Sequence, residues 1–173
     1  VLQVSETDVQ AIVEWANKMW IEMAVIGPEA PLEKGIVDAM ASADIPSVGP
    51  TRSCARLETS KSFTRGLLDR YKIPGNPKFR VFKSPEGIKE FLAELGEYVI
   101  KDEGLAGGKG VKLSGEHLST PQEGYDYAVQ CIEKSGAVVL EEKFIGEEFS
   151  LQCLTDGKTV VGSPLAQDHK RAF

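Results

Sequence analysis

Proline and glycine punctuate this chain more firmly than any other feature. Gly27-Pro28 follows the apolar run Met23-Ala24-Val25-Ile26, and Gly49-Pro50 follows Ile45-Pro46-Ser47-Val48. Proline has no N–H to give to a sheet ladder, so each run reads as a short strand that stops there. A helix is expected between them, from about Pro31 to Ala43, with proline near its first turn. Ahead of the first strand, Ser5-Glu6-Thr7-Asp8 has the capping-box pattern. It opens a helix whose apolar positions Val9, Ile12, Val13, Ala16 and Met19 recur at three- and four-residue steps. Strand, helix, strand, helix is the pattern of a parallel α/β unit. Thr51 or Ser53 can cap a further helix over about 53–71. Ile73-Pro74-Gly75-Asn76-Pro77 then breaks the chain and marks the best domain boundary.

Beyond the break, the pattern turns to strands. Phe79 to Phe82 reads as a strand, and Ser84-Pro85-Glu86 starts a helix running to Leu95. Tyr98 to Lys101 and Val111 to Leu113 read as strands on either side of a glycine-rich loop. A helix is expected from about Pro121 to Lys134. Val138 to Phe144 and Glu148 to Leu154 read as strands around Ile145-Gly146. Asp156-Gly157 is a hairpin turn leading into Thr159 to Gly162.

The chain has 173 residues, enough for one ordinary domain or two small ones. A net charge of −6 argues against a general nucleic-acid partner, which wants a basic face. No apolar run approaches the roughly 20 residues of a membrane span, and no signal peptide is evident. The first residue is not Met and Phe173 follows a charged cluster, so both ends read as cut from a longer chain. Cys54, Cys131 and Cys153 are far apart and odd in number, with no C-x-x-C. That disfavours a disulfide framework or zinc site and fits reduced thiols in a cytoplasmic protein.

The loop Gly104-Leu105-Ala106-Gly107-Gly108-Lys109-Gly110 is the main chemical signal. It fails the Walker pattern at Glu103, which stands where the first glycine belongs, and at Gly110, which replaces Ser or Thr. It fails G-x-G-x-x-G because Val111, Lys112 and Leu113 follow. It is therefore a glycine-rich hairpin, and such a hairpin can fold over phosphates and donate backbone N–H groups. A solvated surface hairpin is equally compatible with the loop alone. Lys101, at the end of an apolar strand, can aim a fixed charge at phosphate. Glu141 to Glu148 bridges two strands. A bend there can offer backbone groups to an adenine edge and a carboxylate to ribose hydroxyls.

Taken together, these blocks resemble the ATP-grasp enzymes and, within them, the glycinamide ribonucleotide synthetases (phosphoribosylamine–glycine ligases). The blocks are Ile26-Gly27-Pro28-Glu29-Ala30-Pro31-Leu32, Gly49-Pro50-Thr51, Leu57 to Phe63 with its S-K-x-F core, Val99 to Val111, Val138 to Ser150, Leu154 to Lys158, and Ala166-Gln167-Asp168-His169-Lys170-Arg171. They occur in family order over nearly the whole chain.

The resemblance implies an α/β fold. Residues 1–78 would be the later part of an amino-terminal substrate-binding α/β domain. Residues 79–147 would be the α+β ATP-grasp lid subdomain, and 148–173 the start of the large ATP-grasp subdomain. It also implies ligation of glycine to 5-phosphoribosylamine with ATP and Mg²⁺ (or Mn²⁺). Lys61 and Lys101 would hold ATP phosphates, and Gly107, Gly108 and Gly110 would form the cover. Glu142, Lys143 and Ile145 would meet adenine, the latter two through backbone, and Glu148 would meet ribose. Gly27, Pro28 and Glu29 would contact phosphoribosylamine, with Asp168, His169 and Lys170 lining the acceptor side. Lys101, Asp168 and Lys170 would be the catalytic set, with no metal ligands in this chain. Two positions depart from the family pattern. Asp102 stands where a small residue or proline is usual, and opposes phosphate binding unless it points away. Lys143 stands where an aromatic residue is common. The rival readings are another ATP-grasp carboxylate–amine ligase and a nucleotide-binding fragment without turnover. Oligomeric state stays open.

Overall fold

A computed structural model of the chain describes residues 3–104 and 110–168, in two compact units, 1–143 and 144–173. The first unit begins with α1 (Val9–Lys18), β1 (Ala24–Val25), α2 (Glu29–Glu33), α3 (Ile36–Ser42), β2 (Ser47–Val48), α4 (Arg52–Thr59) and α5 (Lys61–Arg70). β1 and β2 pair in parallel, Ala24 with Ser47 and Val25 with Val48, as the strand–helix–strand pattern requires. Ala16, Leu32, Ile36, Val37, Met40, Ile45 and Ala55 form the core of this layer. Gly49 is needed where it stands: a Cβ there would come within 3.2 Å of Val37 and 3.3 Å of Leu32.

Two helices expected as single are each broken. The segment 31–43 is divided by Gly35, whose φ of +84° lies in the left-handed region. The segment 53–71 is divided at Ser60, which is extended and turns its hydroxyl to the Phe63 N–H as the cap of α5.

The rest of the first unit comprises β3 (Phe79–Phe82), α6 (Ile88–Leu95), β4 (Tyr98–Asp102), β5 (Val111–Leu113), α7 (Pro121–Ser135) and β6 (Val138–Glu142). Its strands form an antiparallel sheet in the order β3-β6-β4-β5. Strand alternation gives this sheet two unlike faces. Phe82, Tyr98, Ile100, Val138 and Leu140 pack with Ile88, Phe91 and Leu92 of α6 and with Ala128 and Cys131 of α7. Val99, Lys101, Val139 and Glu141 lie on the opposite face.

The second unit contains β7 (Phe149–Ser150), β8 (Cys153–Thr155), β9 (Val160–Gly162) and β10 (Ala166–Gln167). β7 pairs with β10 and β8 with β9, both antiparallel. The strand expected over 148–154 is thus two short strands. Asp156-Gly157 makes the expected turn: Asp156 Oδ1 accepts from the Lys158 and Thr159 N–H groups, and Gly157 has φ +88°. Among the described residues, no helix is long and apolar enough to cross a membrane.

Candidate functional site

The start of α5 and the end of β4 bring Lys61 and Lys101, the two lysines expected at phosphate, toward one place. Lys61 is the first residue of α5, and its ammonium donates to the Gly104 carbonyl at the root of the glycine loop. Glu103, one residue earlier, is held by the same helix start. Its Oε1 accepts from the Ser60 hydroxyl at 2.5 Å and its Oε2 from the Ser62 N–H at 3.0 Å. A carboxylate suits a helix N-terminus, where N–H groups lack intrahelical partners. Burial pulls the Lys61 ammonium below its ordinary pKa, and the nearby Glu103 and Asp102 charges only partly oppose this.

Lys101 lies on the sheet face away from α6 and α7 and pairs with Glu141. Glu141 also takes a bidentate bond from Arg65 of α5, at 2.6 Å from Nε and 3.1 Å from Nη2. Gly110 closes the described part of the loop. It is buried, and its carbonyl accepts from the Asp102 N–H at 2.7 Å. Gly107 and Gly108 lie outside the described residues, as do His169 and Lys170.

The departure at Asp102 is resolved by strand geometry. Asp102 points to the opposite face from Lys101 and is 2% exposed. Its Oδ2 accepts from the Lys134 ammonium at 2.5 Å. Burial pushes the carboxyl pKa up, but the bonds and charge of Lys134, with Ser135, outweigh it and the net shift is downward. The carboxylate therefore does not face Lys101.

Glu142, Lys143, Ile145 and Glu148 are the residues expected on the adenosine side. Glu142 Oε1 accepts from the Lys78 N–H at 2.8 Å, and the Glu142 N–H donates back to the Lys78 carbonyl at 2.9 Å. This carboxylate thus fastens the start of β3. The Lys143 side chain reaches Glu116 at 3.2 Å and the Ser114 carbonyl at 3.3 Å. Its N–H donates to the Glu97 carbonyl. Ile145, Glu148 and Asp168 belong to the second unit. Ile145 is 83% exposed, and the Asp168 N–H donates to the Glu148 carbonyl at 3.0 Å. Gly27, Pro28 and Glu29 follow β1, with Pro28 capping α2 and Glu29 as its first residue. They sit at the carboxyl end of a parallel strand, a common place for a ligand crevice.

Arg65, Glu141 and Glu103 were not singled out from sequence. Arg65 follows Lys61 by four residues on one helix, which puts both on the same face. Glu141 continues the apolar run Val138-Val139-Leu140, and a carboxylate in such a run calls for a cationic partner.

The arrangement gathers three cations, Lys61, Arg65 and Lys101, with two carboxylates, Glu103 and Glu141, and Lys61 reaches the root of the glycine-rich loop. The excess of positive charge suits an anion. Comparison with known proteins extends this picture. Residues 1–58 match the family model described as phosphoribosylglycinamide synthetase, N domain, and residues 59–173 match the model for its ATP-grasp (A) domain. A protein from Pyrococcus furiosus named phosphoribosylamine–glycine ligase is 49% identical over 169 residues, covering 97% of this chain and 38% of that protein. A crystal structure of phosphoribosylamine–glycine ligase from Thermotoga maritima superposes with a TM-score of 0.70 at 29% identity, covering 91% of this chain and 39% of that one. A biotin carboxylase from Campylobacter jejuni, described as a β,γ-ATP complex, superposes with a TM-score of 0.70 at 17% identity, covering 93% of this chain and 38% of that one. That last likeness bears on the fold alone. The chain thus spans well under half the length of these relatives. Within that span, the two family models together run from end to end, and the chain belongs to the phosphoribosylglycinamide synthetase family.

Proposed function

We propose that this chain carries the ATP-phosphate site of an enzyme that joins glycine to 5-phosphoribosylamine, giving glycinamide ribonucleotide. The observation that carries the reading is the Lys61 ammonium on the Gly104 carbonyl at the root of the glycine loop, with the Lys101 charge near it, in a chain of this family. The division proposed with it is 1–78 for the substrate domain, 79–147 for the lid and 148–173 for the start of the large subdomain.

The chemistry explains why cations gather there. A carboxylate is a poor electrophile, since its charge is spread over two oxygens and it has no good leaving group. Attack by a glycine carboxylate oxygen on the γ-phosphorus of ATP forms a glycyl phosphate and releases ADP. The amine of phosphoribosylamine then attacks the acyl carbon and expels inorganic phosphate. The protein's share is to position the reactants and stabilise charge on the transferring group. Lys61 and Lys101 bind ATP phosphates in this reading, and Gly107, Gly108 and Gly110 supply the cover. Glu142, Lys143, Ile145 and Glu148 take the adenosine end. Gly27, Pro28 and Glu29 meet phosphoribosylamine, with Asp168, His169 and Lys170 on the acceptor side. Among the described residues, no group of three or more His, Cys, Asp or Glu is arranged to hold a metal ion.

The test is a chimera in which this chain replaces the matched segment of the Pyrococcus furiosus ligase. ADP release that needs both glycine and phosphoribosylamine is expected, with Lys101→Ala raising the KM for ATP about tenfold or more, in line with losing a charged hydrogen-bond donor to an anion. A folded chimera that releases no ADP, or a Lys101→Ala variant with unchanged ATP kinetics, would overturn the reading.

A further inference from the structure

We infer that Glu141 and Arg65 form a positioning pair that holds the Lys101 ammonium ready for a nucleotide phosphate without cancelling its charge. The inference rests on the nucleotide reading above and adds two residues to it. Glu141 is 4% exposed, so its charge must be matched from within the protein. It is matched twice. Arg65 grips both carboxylate oxygens, at 2.6 Å on Oε2 and 3.1 Å on Oε1, and Lys101 shares Oε1. Arg65 is itself fixed from α5, with Nη1 at 3.5 Å from Asn76 Oδ1. The Asn76 amide donates back to the Arg65 carbonyl at 3.2 Å.

The charge balance is what makes this useful. One carboxylate alone with Lys101 would leave a neutral pair with little pull on an anion. With Arg65 included, two cations share one anion and the group keeps a net single positive charge. Arginine suits the anchoring role because its planar fork matches a carboxylate in two bonds. Lysine suits the ligand-facing role because it is a point charge on a flexible stem, but that flexibility has a cost. Ordering such a side chain at the moment of binding opposes affinity. A lysine already held at Glu141 has met that cost during folding. Strand pairing supports the placement: Val99 stands opposite Glu141 and Lys101 opposite Val139, so Lys101 and Glu141 are diagonal neighbours on one face.

The test combines two readouts on the whole chain. The first does not involve nucleotide: the ¹H–¹⁵N signal of the Lys101 ammonium, assigned through a Lys101→Met variant. An ammonium held in a partly buried pair exchanges more slowly than a free one and is observed. The signal is expected in the wild type and lost in Glu141→Gln. The second is calorimetric titration with a non-hydrolysable ATP analogue and, separately, with adenosine. Glu141→Gln and Arg65→Met are each expected to weaken the analogue about three- to tenfold, the scale of ordering one long side chain. Adenosine binding stays unchanged, and Arg65→Lys restores only part of the loss. An ammonium signal that persists in Glu141→Gln overturns the inference. So does analogue affinity that falls in Lys101→Met but not in Glu141→Gln. A wild-type chain that binds neither ligand counts against the nucleotide reading, and the ammonium signal then still decides whether Glu141 holds Lys101.

Discussion

Gly124 sits inside α7, where helix propensity alone says that alanine gains about 1 kcal/mol. The structure reverses that expectation. A Cβ at Gly124 would stand 2.5 Å from the Tyr98 hydroxyl oxygen, 3.0 Å from Cζ and 3.1 Å from Cε2. The Tyr98 side chain has nowhere to go. It is 4% exposed within the cluster between β4 and α7, and its backbone exchanges two hydrogen bonds with Ser114, at 2.9 and 3.0 Å. Overpacking a well-filled site costs about 1–3 kcal/mol. Three contacts this short belong in the upper part of that range. After subtracting the helix gain, Gly124→Ala should lose about 1–2 kcal/mol. Urea unfolding followed by far-ultraviolet circular dichroism measures this. With a slope of about 1–3 kcal/mol per molar urea, the midpoint should fall by about 0.3–2 M at constant slope. In a Tyr98→Leu background the clash is gone, so the same substitution should be neutral or stabilising. A higher midpoint for Gly124→Ala in the wild-type background would refute the reasoning.

Two further predictions concern charge and backbone. The Asp102 carboxyl pKa is lowered in the folded state, so its pairing with Lys134 stabilises the fold fully above the unfolded value near 3.8. That stability is lost as pH falls through the folded value. Asp102→Asn should therefore be less stable than the wild type at pH 7, and the gap should close in acid. A gap of constant size from neutral pH to pH 2 would contradict this. Trp20 follows α1 with φ +54° and is 88% exposed, so it carries left-handed strain with little burial to offset it. Trp20→Gly should raise stability by about 1 kcal/mol in thermal unfolding, and a drop would show that the indole contributes packing.

The parts of the fold that were legible in the sequence are those set by local chemistry. Gly-Pro steps follow β1 and β2, Pro121 opens α7, and Asp156-Gly157 turns the β8–β9 hairpin. Long-range pairing was not legible. β6 inserts between β3 and β4 from forty residues downstream of β4, and nothing in Val138-Val139-Leu140 says which strands will flank it. The break at Gly35 was hidden because apolar spacing continues across it, from Leu32 to Ile36 and Met40. At Ser60, Ser-Lys-Ser-Phe was a cap signal in a polar stretch that was read as continuous helix. In the site, Lys101 was marked by its place at the end of an apolar strand and Lys61 by resemblance, whereas the cation that keeps the cluster positive, Arg65, was visible only as the i+4 neighbour of Lys61. The carboxylate between them could be recognised only once strand pairing placed Glu141 beside Lys101.

The register of β4 carries both the fold and the proposed chemistry. Successive residues face opposite sides, so Lys101 and Asp102 are separated by a strand's thickness and opposite fates: one joins Glu141 and Arg65, the other Lys134. A slip of one residue would turn the ammonium into the apolar cluster of Ile100 and Leu140 and present a carboxylate where phosphate is proposed to bind. Several contacts oppose that slip. Val99, Ile100 and Lys101 are paired on both sides, with β6 and with β5. The Asp102 N–H is tied to Gly110, and Tyr98 is tied to Ser114 through backbone and hydroxyl together. The apolar partition that fixes the sheet therefore also sorts the charges. Substitutions that loosen the Tyr98 end of β4 should disturb the Lys101–Glu141 pairing through the strand, without touching either residue.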